Sequence, residues 1–129
     1  MVILFNLHNM DTGVFIYLQF LRNVVLPLPG VTEKLCFGTP AFYVNKKIFV
    51  RIREDGETLV LHTKERDKCM AAKPKVYFIT EHYYNYDYML VNLPKADPEE
   101  LKSLLIQAWK NRANKKTIVQ WAIGQDLKI

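Results

Sequence analysis

The pattern of apolar and polar positions divides the chain into short elements separated by turn residues. The first element is apolar over thirteen residues, Val14–Leu26, with three polar interruptions. Because it is apolar on all sides, its periodicity does not separate helix from strand, but its length favours a helix. Asp11 or Thr12 would open this helix, and Pro27 with Pro29 would close it.

Four extended segments follow, each bounded by Gly, Pro, Asn or Asp residues. They are Val31–Phe37, Ala41–Val44, Ile48–Arg53 and Thr58–His62, with turns at Gly38–Pro40, Asn45–Lys47 and Glu54–Glu57. In the third segment, alternation places three aliphatic residues on the core face. Arg51 and Arg53 then share the other face with Phe49, which predicts two guanidiniums beside an aromatic ring.

The second half of the chain predicts a helix, two strands and two further helices. Thr63 is placed to cap a helix at Lys64–Lys73 that ends before Pro74. Strands are expected at Val76–Thr80 and Tyr88–Leu93.

Asp97 marks the start of the longest amphipathic helix. It is the expected N-cap, Pro98 occupies the first helical position, and Glu100 is placed to reach back as in a capping box. Apolar residues then recur at helical spacing and predict a buried stripe. The stripe consists of Leu101, Leu104, Leu105, Ala108 and Trp109. With a last helix at Thr117–Ile123, the pattern predicts one α+β domain with an antiparallel sheet.

Length and composition agree with a single domain of ordinary size. The chain has 129 residues, of which 50% are hydrophobic and 24% charged, as is typical of globular proteins. No apolar run reaches the roughly 20 residues that a membrane helix needs, and no targeting signal is evident. We therefore expect a cytoplasmic protein without membrane contact, in which Cys36 and Cys69 are reduced thiols. Met10 is a natural beginning, so residues 1–9 are either an upstream extension or a misassigned start.

The net charge is +5, and most of the basic residues fall in two groups. The first, in the middle of the chain, lies among acidic residues. The second has no acid nearby in sequence and consists of Lys110, Arg112, Lys115 and Lys116. One hypothesis is that basic side chains at the turns Asn45–Lys47 and Glu54–Glu57 contact phosphates, which would give salt-dependent and largely sequence-independent binding. The residues assigned to phosphates are Lys46, Lys47, Arg51 and Arg53. An ordinary solvated surface is the alternative, and the acids of the second turn oppose the phosphate interpretation.

The segment Glu81–Leu93 contains four tyrosines and a histidine where turn-forming Asn, Asp or Gly would serve. Two interpretations remain open. The rings can stack on bases or on a small planar ligand, or some of them can close one edge of the core. The residues assigned to stacking are His82, Tyr83, Tyr84 and Tyr86, and at least one tyrosine is expected to be exposed.

Catalytic chemistry is not indicated. His8, His62 and His82 lack metal-binding spacing, and the five glycines form no phosphate-binding loop. The only serine, Ser103, lies within the predicted amphipathic helix rather than in a nucleophile motif. We therefore predict no catalytic residue, no metal and no cofactor.

Five segments form a recognisable ordered set: LPGVTE (28–33), FGTPAFYVNKKIFVRI (37–52), DGETLVLHT (55–63), TEHYYNYDYMLVNL (80–93) and AWKNRA (108–113). In their order and spacing they resemble the MmcQ/YjbR-like family, whose fold belongs to the CyaY-like α+β group. Asn85 stands where the family often has Gly, and Asn tolerates a left-handed backbone. The resemblance implies a curved antiparallel sheet with flanking helices over residues 13–116. Residues 1–12 would then be an N-terminal extension and residues 117–129 a C-terminal helical extension.

The resemblance also implies a double-wing arrangement that binds DNA. The main hypothesis is therefore a non-enzymatic, monomeric domain that binds DNA weakly through its basic hairpins. The alternative is a protein- or small-ligand-binding module that uses the tyrosine-rich loop, residues 81–88.

Overall fold

A computed structural model describes residues 12–126, with side chains described from residue 16 onward. The proposed extension at residues 1–9, His8 and the alternative helix start at Asp11 lie outside the described residues. The helices are α1 (Thr12–Val25), α2 (Arg66–Ala72), α3 (Pro98–Arg112) and α4 (Lys115–Asp126). The strands are β1 (Val31–Cys36), β2 (Thr39–Val44), β3 (Lys47–Ile52), β4 (Thr58–His62), β5 (Tyr77–Phe78) and β6 (Tyr88–Asn92). Short 3₁₀ turns occupy Glu81–Tyr83 and Leu93–Lys95.

The strands form one antiparallel sheet in the order β1-β2-β3-β4-β6-β5. This confirms the predicted α+β fold. The apolar stripe of α3 packs with α1 against one face of the sheet, where Trp109 and Leu105 are fully buried. The indole N–H of Trp109 donates to the carbonyl of Pro29 at 3.0 Å, so the largest core residue has its polar atom satisfied. Within residues 12–126, no helix has the length and apolar character that crossing a bilayer requires.

A β-bulge in β3 changes which side chains face the core. Phe42 is opposite Val50, but Tyr43 is opposite Ile48, so Phe49 is the extra residue. Phe49 and Val50 are consequently both buried in the core below the sheet. The prediction that the ring of Phe49 lies beside two arginines is therefore wrong.

Two tight turns set the register of the first three strands. In each, both central residues have positive φ, as a type I′ turn requires: Phe37 (52°) with Gly38 (79°), and Asn45 (49°) with Lys46 (71°). The first turn lies earlier in the chain than predicted, and β2 already begins at Thr39. Because β3 starts at the second turn and ends near the third, the second and third turns lie at opposite ends of the sheet.

The N-terminus of α3 forms as predicted in one respect and differs in another. The carboxylate of Asp97 accepts the backbone N–H of Glu100 at 2.9 Å, which confirms the N-cap. The Glu100 side chain does not reach back to the cap. It accepts hydrogen bonds from the hydroxyl of Tyr77 and from the ammonium of Lys73, and so ties the β5 region to α3. Burial and the neighbouring Glu100 carboxylate raise the pKa of Tyr77.

The segment after β4 also differs in detail. Helix α2 begins at Arg66 rather than Lys64, because the hydroxyl of Thr63 accepts the N–H of Glu65 in a local turn at 3.1 Å. Strand β5 is only two residues long, Tyr77–Phe78, so the chain leaves the sheet earlier than the predicted strand would.

Candidate functional site

In the structure Tyr88 belongs to β6, so the tyrosine loop here denotes residues 80–87, and Arg66 at the start of α2 holds it in place. One guanidinium nitrogen donates to the carbonyls of Tyr83 and Tyr86 at 2.8 and 2.7 Å, and the other donates to the carbonyl of Tyr84. The guanidinium carbon also lies 6.0 Å from the centre of the Tyr84 ring. Charge-assisted hydrogen bonds of this kind are the stronger ones in proteins. The loop is therefore ordered, and the charge of Arg66 is used within the fold.

The loop lies over the sheet face opposite α1 and α3, which we term the open face. Alternation along the strands puts Arg51, Val60 and Leu90 on this face, and they are neighbours across β3, β4 and β6. The ring of Tyr83 lies 6.3 Å from that of Tyr88 on β6 and 4.8 Å from that of His82. Tyr83 therefore packs on the sheet, whereas the stacking of the loop's rings on a ligand stays a prediction.

A depression of about 180 Å³ separates the tyrosine loop from the β1–β2 turn. We term it the aromatic cleft. Its lining residues are Cys36, Phe37, Ile48, Arg51, Val60, His82, Tyr83 and Tyr88. Aromatic rings come from both sides, with Phe37 on the turn and Tyr83 on the loop. Tyr84 and Tyr86 do not line the cleft and are 66% and 60% exposed.

Phe37 combines two unfavourable properties at the rim of the aromatic cleft. Its side chain is 84% exposed, and its backbone has φ of 52°, a left-handed conformation that a bulky residue rarely adopts. Strain of this kind is concentrated at functional sites because it needs a compensating reason to persist. Phe37 was absent from the sequence-based site residues. The signal that could have found it is a large aromatic residue directly before Gly38 in a two-residue turn.

Arg51 forms the polar part of the cleft and is largely enclosed. Its side chain is 12% exposed, and one guanidinium nitrogen donates to the hydroxyl of Thr39 at 3.1 Å and lies 3.6 Å from the carboxylate of Glu54. The guanidinium carbon lies 5.5 Å from the centre of the Phe37 ring. A guanidinium beside an aromatic ring was predicted, and the ring is that of Phe37 rather than Phe49.

The acidic third turn lies at the same end of β3 as Arg51 and Arg53. There the carboxylate of Asp55 accepts the N–H groups of Glu57 and Thr58 and the Thr58 hydroxyl. Partial burial raises the pKa of Asp55, but these hydrogen bonds outweigh it, and the pKa of Asp55 is lowered. Asp55 therefore has a structural role in the turn, as Glu54 has in its contact with Arg51.

The opposite end of β3 carries a basic corner, which we define as Lys46, Lys47, Lys115 and Lys116. All four side chains are exposed. Asn45 brings them together across the sequence, since its amide oxygen accepts the N–H of Asn114 at 2.7 Å and its amide nitrogen donates to the Thr117 hydroxyl at 3.3 Å. Within residues 12–126, these lysines form no ion pair.

The four residues assigned to phosphates therefore do not form one surface. Lys46 and Lys47 lie in the basic corner, whereas Arg51 and Arg53 lie toward the other end of the six-residue β3. At about 3.3 Å per residue the two ends of β3 are about 17 Å apart. The acids that would repel phosphate lie with the arginines. Lys115 and Lys116, which belong to the acid-free basic group of the sequence, join the corner.

Near the corner, the start of β3 is not paired with β4, since the pairing of these strands covers only Val50–Ile52 with Leu59–Leu61. The carbonyl of Ile48 accepts hydrogen bonds from Arg112 Nε at 3.2 Å and from the Tyr88 hydroxyl at 3.5 Å. His62, paired with Tyr88 on the next strand, packs edge-on against its ring at 5.3 Å. His62 is buried, and its Nδ1 has no hydrogen-bond partner in the part of the chain that the structure describes. Burial and the nearby Arg112 lower the pKa of His62, and Asp87 opposes this.

No group of three or more His, Cys, Asp or Glu side chains is arranged around a metal-sized space among the described residues. Cys69 lies beside the Tyr77–Glu100 contact, and burial raises the pKa of its thiol, as do the nearby carboxylates of Glu65 and Glu100. A thiol with a raised pKa is a poor nucleophile at neutral pH. The basic corner and the aromatic cleft are thus the two arrangements of exposed side chains that could contact a ligand.

Comparison with known proteins identifies relatives of this fold. A sequence model of the YjbR family matches residues 26–111. The crystal structure of protein DR2400 from Deinococcus radiodurans, which contains the DUF419 domain, superposes with a TM-score of 0.61 at 22% sequence identity. The similarity covers 69% of this chain and 72% of that chain and shows a shared fold. No curated protein matched the chain.

Proposed function

The chain belongs to the YjbR family, and from this premise we propose that it is a non-enzymatic domain that binds nucleic acid through the basic corner. The observation that carries the proposal is the convergence of Lys46 and Lys47 with Lys115 and Lys116 around the Asn45 amide. Four exposed ammonium groups that form no ion pair within the described chain match the phosphates of a nucleic-acid backbone.

The proposal differs from the sequence-based hypothesis in which basic residues it uses. Arg51 contacts Thr39, Glu54 and the Phe37 ring, so reversing its charge would disturb the fold together with any binding. The lysines of the corner project into solvent, and changing them leaves the core intact. In this proposal, DNA contacts one of the two wings, the β2–β3 turn, and the start of α4.

Salt dependence is the expected signature of this mode. Each phosphate neutralised on duplex DNA contributes a slope of about −0.9 to log K against log salt, and about −0.7 on a single strand. Four lysines would therefore give a slope of roughly −3 to −4. Such binding is weak near physiological salt and tightens steeply below it.

The test is fluorescence anisotropy with short single- and double-stranded DNA at several salt concentrations. We expect the Lys46→Gln/Lys47→Gln variant to bind more weakly and to reduce the magnitude of the slope by roughly 1.4 to 1.8. The matched control is Lys64→Gln/Lys68→Gln, which removes two exposed charges near Glu65 and should leave the slope unchanged. Equal effects of the two variants would show that only net charge matters and would refute the basic corner as the binding site. Absence of binding at low salt would refute the function.

The alternative function, ligand binding at the tyrosine loop, is favoured by a different observation. The aromatic cleft has rings from two separate elements and an enclosed guanidinium. Aromatic stacking depends little on salt, so binding at the cleft alone would show a nearly flat slope.

A further inference from the structure

We infer that the aromatic cleft receives one unpaired nucleobase of a single strand whose phosphates lie on the basic corner. The domain would then prefer single-stranded to double-stranded nucleic acid. This inference rests on the proposed function, and it adds the class of nucleic acid and a second binding site.

The size and walls of the cleft fit one planar ring. Its volume is about 180 Å³, and an apolar cavity of about 150 Å³ is large enough to hold benzene. Phe37 and Tyr83 stand on opposite sides, and Val60 and Ile48 provide an apolar floor. Bases of single strands stack on aromatic side chains in this way, because every base has a π face.

The exposure and strain of Phe37 point to a ligand rather than to folding. An 84% exposed ring contributes little burial to the fold, and its left-handed backbone would be easier for Asn or Gly. Leu35 on the same hairpin is similarly exposed, at 72%, but alternation along β1 places it on the other face. Phe37 is therefore the exposed apolar residue of this hairpin that lines the cleft.

Arg51 adds a polar contact inside the cleft. A guanidinium has five N–H donors, and one of its nitrogens bonds to Thr39. Carbonyl and ring-nitrogen acceptors on a base edge suit the remaining donors. Because Glu54 lies near Arg51, the cleft favours a neutral base edge over a phosphate.

The cleft and the corner are adjacent through β3. Ile48 lines the cleft, and the preceding residue is Lys47 of the corner. Because successive residues of a β-strand face opposite sides of the sheet, a nucleic-acid strand bound at both sites would pass around this end of β3. In a duplex the bases are paired and stacked inward, so none would be available to the cleft.

The experiment compares a short thymidine strand, a strand of the same length that lacks all bases, a duplex and free thymidine monophosphate. With the natural protein, the base-containing strand should bind roughly ten-fold more tightly than the abasic strand. Phe37→Asn should remove this difference and keep the salt slope. Phe37→Tyr should retain it, and Leu35→Asn is the matched surface control.

The failures of the two proposals are distinguishable. Equal affinity of the natural protein for the abasic and base-containing strands, with a steep salt slope, would overturn the cleft and leave the corner. Loss of salt-dependent binding to every strand would overturn the corner. If free thymidine monophosphate bound as tightly as the thymidine strand, the claim that the cleft takes a base from within a strand would be overturned. An equal effect of Leu35→Asn and Phe37→Asn would overturn the role of Phe37.

Discussion

Phe37→Asn should remove a large aromatic residue with little or no loss of stability. The substitution puts Asn directly before Gly38, and Asn-Gly is the pair most favoured in a two-residue type I′ turn. A left-handed residue other than Gly costs about 1–2 kcal/mol, and Asn tolerates the conformation better than Phe. The structure places Phe37 in this conformation with φ of 52°.

The interactions that the Phe37 ring makes are small by comparison. The guanidinium of Arg51 lies 5.5 Å from the ring centre, and an exposed cation–π interaction contributes about 0.5–1 kcal/mol. The ring is 84% exposed, so its apolar burial amounts to less than about 0.5 kcal/mol. Relief of strain and removal of the ring therefore nearly cancel, and we expect Phe37→Asn to remain within about 0.5 kcal/mol of the natural chain.

Phe37→Ala is the control, because it removes the same ring and keeps a side chain in the strained conformation. It should be less stable than Phe37→Asn by about 1 kcal/mol, which corresponds to roughly 3–5 °C in melting temperature for a domain of this size. Urea denaturation at equal m-value gives the comparison directly. If Phe37→Asn were no more stable than Phe37→Ala, the strain argument would be refuted. A destabilisation above about 2 kcal/mol in both would show that the ring belongs to the fold.

Three further substitutions test other parts of the structure. Lys46→Gly should stabilise the protein by about 0.5–1 kcal/mol in urea denaturation, because it relieves a left-handed backbone, while it weakens binding to DNA. Arg66→Ala should cost about 2–3 kcal/mol and speed amide exchange in the tyrosine loop, because three carbonyls lose their donor; Arg66→Lys should restore only part of this protection. His62→Phe should flatten the pH dependence of stability, measured by urea denaturation between about pH 7 and 5. Since the pKa of His62 is lowered in the fold from 6.5, the unfolded natural chain binds more protons, and stability is lost as pH falls below about 6.5 and through the folded-state pKa.

Each of these predictions has a clear contrary result. A Lys46→Gly protein that is less stable than the natural chain would contradict the strain at this turn. Unchanged exchange of the loop amides in Arg66→Ala would show that the loop does not depend on the guanidinium. An equally steep acid loss in the His62→Phe variant would assign that loss to other groups.

Local patterns allowed most of the fold to be predicted from the sequence. Asp97 as an N-cap and the apolar stripe ending at Trp109 depend on residues within a few positions of each other, and both are confirmed. The bulge at Phe49 depends on how β2 and β3 pair, and alternation within one strand contains no sign of it. For this reason the sequence assigned Phe49 to the wrong face of β3, although it placed the strand itself at the right position in the chain.

The candidate site was harder to predict because it depends on distant residues. The lysines of the β2–β3 turn and of α4 were both recognisable as basic groups, but it is long-range contacts, such as those of Asn45 with Asn114 and Thr117, that bring them together. The strain of Phe37 is a backbone property that appears only when the turn type is known. The binding roles of the tyrosines and of the four basic residues remain predictions.

The Asn45 contacts also determine which part of the chain supplies the charge of the basic corner. Lys46 and Lys47 lie within the range that the family model matches, 26–111, whereas Lys115 and Lys116 lie beyond it. Half of the corner is thus contributed by a helix beyond the matched range, which is held in place by the Asn45 side chain and by the packing of Trp121 on Trp109. If the corner binds a polyanion as proposed, changes in this helix would alter the affinity while the sheet stays as it is.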